Sequence, residues 1–183
     1  ISFHLAGGGC TRSEPPSTRL AAALADLSAL RLVTPPDIEI WTDGSAVDGY
    51  RDGKAGVHFR GIPLDDETHY VAPICSSTTA EAAAVTHGLR AITHTIPPSS
   101  TIWVLSDSRA VWSALKHASC LSWKPDPWLT QLSTLLLQLA QSHQLHFIWV
   151  PGHCGLEGNE AADALAGAPI PHPTPPYLIS QAA

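Results

Sequence analysis

Four acidic residues and one histidine have the residue types and settings for metal-assisted chemistry. Asp43 stands in WTDGS (41–45), Glu81 in STTAEAAAV (77–85) and Asp107 in VLSDSRAVW (104–112). His153 and Asp163 stand in PGHCGLEGNEAAD (151–163). Each acid falls where one predicted element ends or the next begins, so the four can converge on one site. Carboxylates packed together repel, and the partner that relieves the repulsion is a hard divalent cation taking oxygen ligands.

The elements that must carry these groups are legible from periodicity. Strands are predicted at 38–42, 55–60 and 67–74, with links short enough for antiparallel hairpins. A helix from about Thr79 carries Ala82, Val85, Leu89 and Ile92 on one face. Thr101 to Leu105 is a continuous apolar strand of the kind buried on both faces of a sheet. A helix from Ser108 to about His117 follows. Asp126-Pro127 then reads as an N-cap and first helical residue, opening a helix whose stripe is Trp128, Leu132, Leu135, Leu136 and Leu139. A strand over 145–150 and a helix from about Glu157 complete the order βββαβααβα. This is an α/β fold with a five-stranded mixed sheet, three antiparallel strands then two parallel, and helices on both faces.

The ends read differently. Residues 1–36 are expected to be a linker: a Gly, Ser and Pro-rich run, then a short amphipathic helix with Leu20, Leu24, Leu27 and Leu30 in its stripe. Residues 37–168 form the expected compact domain, and residues 169–183 an extended Pro-rich tail.

Taken singly, every acid has a structural explanation. Asp43 before Gly44 suits a turn. Glu81 suits a capping box with Thr78 as N-cap, yet it also lies over the apolar stripe of its helix, where a lone carboxylate is costly. Asp107 suits an N-cap, and Asp163 an acid favoured by a helix dipole. His153 suits an ordinary surface histidine. The joint pattern favours a shared site. Asp43 and Asp107 end strands that would lie side by side and parallel, at the strand edge where α/β sheets bind ligands.

Composition narrows the function classes. The formal net charge of −6 argues against tight autonomous binding to nucleic acid, which usually needs a basic surface. A catalytic module held near its substrate by a neighbouring domain escapes that argument. The chain begins at Ile1 and contains no Met, which suggests a piece of a longer polypeptide. The cysteines Cys10, Cys75, Cys120 and Cys154 are dispersed, which favours a reducing, intracellular compartment, nucleus or cytoplasm, over secretion. No apolar run is long enough to span a membrane. The histidines include no HExxH pattern, which leaves a zinc hydrolase poorly supported.

The chain resembles a ribonuclease H domain of type 1. The resemblance rests on TDGS (42–45), the Ala80-Glu81 step, SDS (106–108) and the H-x-G-x-x-G-N-E-x-A-D spacing that ends at Asp163. It covers about residues 37–167 and is nearest to the ribonuclease H domains of non-LTR retrotransposon polyproteins. The resemblance implies a ribonuclease H-like fold and an endonuclease that cuts the RNA strand of RNA–DNA hybrids. It implies Asp43, Glu81, Asp107 and Asp163 as ligands of two Mg²⁺, or Mn²⁺, ions about 4 Å apart. His153 becomes an assistant to proton transfer or product release on a loop. Gly44, Ser45, Ser77 and Thr78 become contacts to the RNA strand. A covalently linked reverse transcriptase becomes the implied partner. Two departures stand out. The segment 117–128 is short and carries only Lys124 where some family members have a basic protrusion. Ser77 and Thr78 stand where many carry amides. The competing expectation is a non-catalytic module of the same fold that positions nucleic acid or supports a parent polymerase.

Overall fold

Alternation along Ile38–Val47 dictates how the sheet is covered. Ile38 and Ile40 face one apolar layer, while Trp41 faces the other. The same alternation recurs in Thr101–Ser106, where Ile102 and Val104 oppose Trp103 and Leu105. A sheet apolar on both faces must be covered on both, and helices cover it.

The structure is a computed structural model that describes residues 1–117 and 127–170. In chain order the elements are β1 (Ser2–Leu5), α1 (Pro16–Val33), β2 (Ile38–Val47), β3 (Arg51–Arg60) and β4 (Glu67–Ile74). They continue with α2 (Ser77–Ile92), β5 (Thr101–Ser106), α3 (Arg109–Lys116), α4 (Pro127–Leu139), β6 (Gln144–Trp149) and α5 (Glu157–Gly167). The strands form one six-stranded sheet in the order β1-β6-β5-β2-β3-β4. Pairing is antiparallel from β2 through β3 to β4, and parallel among β2, β5, β6 and β1. Helices α2, α3 and α4 cover one face, burying Val85, Leu89, Val111, Leu132 and Leu136 against it. Helices α1 and α5 cover the other face over Trp41, Trp103 and Ile148.

The expected α/β fold, mixed sheet and two-sided helical cover are present. The sixth strand corrects the expected count of five. Residues 2–5 do not form a linker: they pair in parallel with β6, from Ser2 opposite His146 to Leu5 opposite Trp149. Four residues beside three glycines are too short for periodicity to reveal. Their strand character comes from the open edge of β6. Phe3 then packs edge-on against Trp112 at 6.0 Å.

The expected helix before Pro35-Pro36 is present and starts earlier, at Pro16. Its buried stripe is corrected too. Ala23 and Leu27 are buried, Leu20 and Leu30 pack beside them, and Leu24 is exposed. The expected Asp126 cap, the segment carrying Lys124 and most of the Pro-rich tail lie outside the described residues. The stripe of α4 is as expected, with Leu132, Leu136 and Leu139 buried.

Candidate active site

Three acids meet where β2, β5 and α2 converge. Thr42 of β2 is the register partner of Ser106 of β5, so the parallel pair delivers Asp43 and Asp107 one residue further on, side by side. The third acid, Glu81, comes from the second turn of α2. That turn sits tightly on β2 because residue 44 is glycine: a Cβ there would lie 2.2 Å from the Glu81 backbone nitrogen. One oxygen from each of Asp43, Glu81 and Asp107 lies within 4.8 Å of the others. Asp43 and Glu81 are buried.

Local structure removes the ordinary explanations for these acids. Asp43 is not a turn residue: β2 continues past it to Val47, and Asp43 pairs with Gly56 of β3. Thr78 does not cap α2. Ser76 does, accepting a hydrogen bond from the Thr79 N–H at 3.0 Å, so there is no capping box for Glu81 to complete. Asp107 does not cap α3 either, because Ser108 accepts from the Val111 N–H. Asp163 lies well inside α5, beyond its first turn.

Burial and mutual repulsion show in the titration of the cluster. Burial pushes the Asp43 carboxyl up to about 7, reinforced by the charges of Asp107 and Asp163 and opposed by His153. Glu81 is held well above the usual carboxylate range, first by burial and then by Asp43. Asp107 is raised by burial, with His153 and Asn159 drawing it back. Glu81 Oε2 is out of reach of water and has no hydrogen-bond partner among the described residues. A carboxylate so placed must carry a proton or face a cation. A hard divalent ion, which takes carboxylate oxygens, fits this donor set.

The last run forms the rim. Pro151 leads into a loop where His153 adopts a left-handed backbone with φ of 49°. The loop lies so close to Asp107 that a Cβ on Gly152 would stand 2.1 Å from its Oδ2. Glu160 braces the loop by accepting the Gly155 N–H at 3.0 Å. Cys154 is buried beneath it, its Sγ 3.2 Å from the Pro151 carbonyl. His153 Nδ1 lies 3.8 Å from Asp163 Oδ2, and both side chains are solvent-accessible. His153, Asp163 and Glu160 gather as a second group, separate from the tight trio of Asp43, Glu81 and Asp107. Asp163 is nonetheless near enough for its charge to raise Asp43 and Glu81.

The expected substrate contacts divide. Ser77 and Thr78 line a cleft of about 1010 Å³ together with Glu81, Asp107 and His153. Ser45 is turned elsewhere: its hydroxyl donates to the Ala166 carbonyl at 3.0 Å, tying β2 to α5. Gly44 is packed against the backbone of α2.

Sequence reasoning assigned no role to several residues that build the site. The indole N–H of Trp149 donates to the Asp107 carbonyl at 2.8 Å and so fixes the end of β5. Asn159 is buried beside Asp107 and favours its charged form. The only signal for Asn159 was its place between Gly158 and Glu160 in the last motif. Arg12 and Arg19 line the cleft from the segment expected to be a linker, and no pattern around them pointed there.

The RNase H family model matches residues 35–170. The chain is 31% identical over 138 residues to ribonuclease H of Hyphomonas neptunium, covering 70% of this chain and 89% of that protein. It is 30% identical over 138 residues to ribonuclease H of Bordetella pertussis, covering 70% of this chain and 86% of that one. Among solved structures, RNase H1 from Halobacterium salinarum superposes with a TM-score of 0.54 at 21% identity, over 71% of this chain and 94% of that one. The N-terminal RNase H domain of a Mycobacterium tuberculosis protein gives the same score and identity, over 71% and 95%. With a family match spanning most of its length, and relatives aligned nearly end to end, this chain belongs to the ribonuclease H family of nucleases.

Proposed function

We propose that this chain hydrolyses the RNA strand of RNA–DNA hybrids as a metal-dependent endonuclease, with Asp43, Glu81, Asp107 and Asp163 as ligands of two Mg²⁺ or Mn²⁺ ions. The observation that carries the proposal is the cluster of Asp43, Glu81 and Asp107, with oxygens within 4.8 Å and Glu81 Oε2 buried without a partner. Bound cations would supply charge neutralisation at the phosphate and a more acidic water. The protein's share is to hold the acids in place before substrate arrives. Gly44 sets the depth of Glu81, Trp149 fixes the Asp107 backbone, and Glu160 braces the His153 loop. His153 faces Asp163 through Nδ1, which leaves Nε2 to exchange a proton with the departing 3′ oxygen. The Ser77 and Thr78 hydroxyls in the cleft suit contacts to the 2′-hydroxyls that distinguish RNA from DNA.

The finer context is also proposed. An origin in a retroelement polyprotein, with a linked reverse transcriptase, is supported by the motif resemblance alone, since the relatives named above are bacterial ribonucleases H. Action inside the cell is supported by the dispersed cysteines, and no helix among the described residues is long and apolar enough to cross a membrane. Residues 37–168 are proposed as the ribonuclease H domain proper, followed by a Pro-rich tail.

Strand-specific labelling tests the activity. A hybrid labelled on its RNA strand should be cut in Mg²⁺ or Mn²⁺ and left intact in EDTA, with no cutting of its DNA strand or of duplex DNA. Intact RNA in both metals, at high protein and low salt, would leave the non-catalytic module as the better account.

A further inference from the structure

The N-terminal segment reaches the cleft from outside the part of the chain that matches the family, which starts at residue 35. Strand β1 ends at Leu5, and the chain then crosses the edge of the cleft through Cys10, Thr11 and Arg12 before entering α1. Arg19, in the first turns of α1, is anchored to the rim. Its Nη1 donates to the Gly152 carbonyl at 3.1 Å and its Nη2 reaches the His153 carbonyl at 3.5 Å. Its Nε is buried without a partner among the described residues. From the opposite side, Arg109 lies in the same cleft with its guanidinium 4.0 Å from the Trp149 ring centre. Arg12 is exposed and lines the same cleft.

These arginines differ from others in the chain. Arg31, Arg51 and Arg60 are ion-paired to Glu39, Asp48 and Glu157, which spends their charge inside the protein. Arg12, Arg19 and Arg109 form no ion pair with a carboxylate among the described residues, and all three line one cleft. Of the four arginines without a carboxylate partner among the described residues, three line the cleft beside the acidic centre, while Arg90 bonds to Gln131 elsewhere. A guanidinium presents a fork of donors that matches phosphate oxygens. An anionic polymer entering the cleft would thus meet positive charge on both walls.

We propose that Arg12, on a wall braced by Arg19, and Arg109, across from it, form a backbone-phosphate subsite that holds the nucleic acid strand across the cleft. The subsite rests on the hybrid-cleaving function proposed above and gives the N-terminal segment a part in it. Arg12 and Arg109 contact phosphate. Arg19 is a positioning residue that ties α1 to the His153 loop.

Fluorescence anisotropy of a labelled RNA–DNA hybrid of about 20 base pairs, titrated with the full chain in EDTA across a KCl series, tests the subsite. Arg12 is exposed, so Arg12→Ala should fold normally. It should weaken binding about three- to tenfold and make the slope of log K against log[KCl] shallower by about 1, as loss of one phosphate contact does. Arg12→Lys should restore most of both. Arg90→Ala, at the far end of α2, removes the same charge away from the cleft and should leave the slope unchanged. An Arg12→Ala protein matching wild type or Arg90→Ala in affinity and slope would overturn the subsite, as would a wild-type chain that binds no hybrid. A parallel cleavage assay in Mg²⁺ keeps the two proposals apart. Binding that depends on Arg12 without cleavage would reject the catalytic function and retain the subsite. Cleavage indifferent to Arg12 would do the reverse.

Discussion

The proposed active site turns on three carboxylates whose mutual repulsion a cation would relieve. Asp43 shows this best, because its carboxyl is pushed from 3.8 up to about 7 by burial and by its acidic neighbours. Between those two values the folded state holds a proton that the unfolded chain has released. Metal-free protein should thus lose stability as pH rises from about 4 to about 7, and Asp43→Asn should remove the share of that loss due to Asp43. Urea unfolding in EDTA should find Asp43→Asn more stable than wild type by about 1–3 kcal/mol at pH 8, with the difference vanishing below about pH 4. Millimolar Mg²⁺ should raise the wild-type melting temperature and raise that of the variant much less. An Asn variant less stable than wild type at pH 8 would mean that Asp43 is held by partners that satisfy its charge. His153 is expected to matter differently. It is exposed on the rim and separate from the trio, so His153→Ala should slow turnover by about 10²-fold, the low end of what one general acid contributes. Comparable losses of kcat in His153→Ala and Asp43→Asn would place the histidine at the centre of the chemistry.

Elements set the distances that the residues need, and two glycines show how tightly. Gly152→Ala would drive a methyl group against Asp107 Oδ2, so either the loop or the acid must move. The expected result is a folded protein whose kcat falls by about tenfold or more, since small displacements of catalytic groups are costly. Unchanged kcat would show that the rim loop yields freely. Helix α1 makes the second point at this scale. Leu27 is buried under it and Leu24 is exposed. Leu27→Ala should therefore cost about 2–5 kcal/mol in a single unfolding transition, and Leu24→Ala less than about 0.5 kcal/mol. A separate early transition for Leu27→Ala would mark residues 1–36 as a unit that unfolds by itself. The interior strands and the stripes of α2 and α4 were legible because their apolar periodicity is set by the faces they bury. Strand β1 was not, because its partner edge on β6 is remote in sequence. The Thr78 cap failed for a local reason: Ser76, Ser77, Thr78 and Thr79 are all competent caps, and packing of α2 on Gly44 decides among them.

The whole molecule reconciles an acidic chain with an anionic substrate by local arrangement. Net charge is −6, yet Arg12, Arg19 and Arg109 stand around the cleft without a carboxylate partner among the described residues, while Arg31, Arg51 and Arg60 are paired elsewhere. Three of the four expected acids were legible as a joint pattern, because strand order and a helix start bring Asp43, Glu81 and Asp107 to one edge of the sheet, while Asp163 falls in a second group with His153 and Glu160. The arginine wall was illegible, because Arg12 and Arg19 reach the site only through the fold of β1 and α1 around that edge. Hybrid binding by the isolated chain should therefore be weak and strongly dependent on salt. If the carboxylate cluster performs the cutting, removing one of its acids must abolish it. Wild type and Asp107→Asn, purified identically, are incubated with RNA-labelled hybrid in Mg²⁺ and in Mn²⁺. Wild type should cleave, and Asp107→Asn should lose at least about 10³-fold, as expected for removing a principal source of transition-state charge stabilisation. Equal cleavage by the two proteins would contradict it.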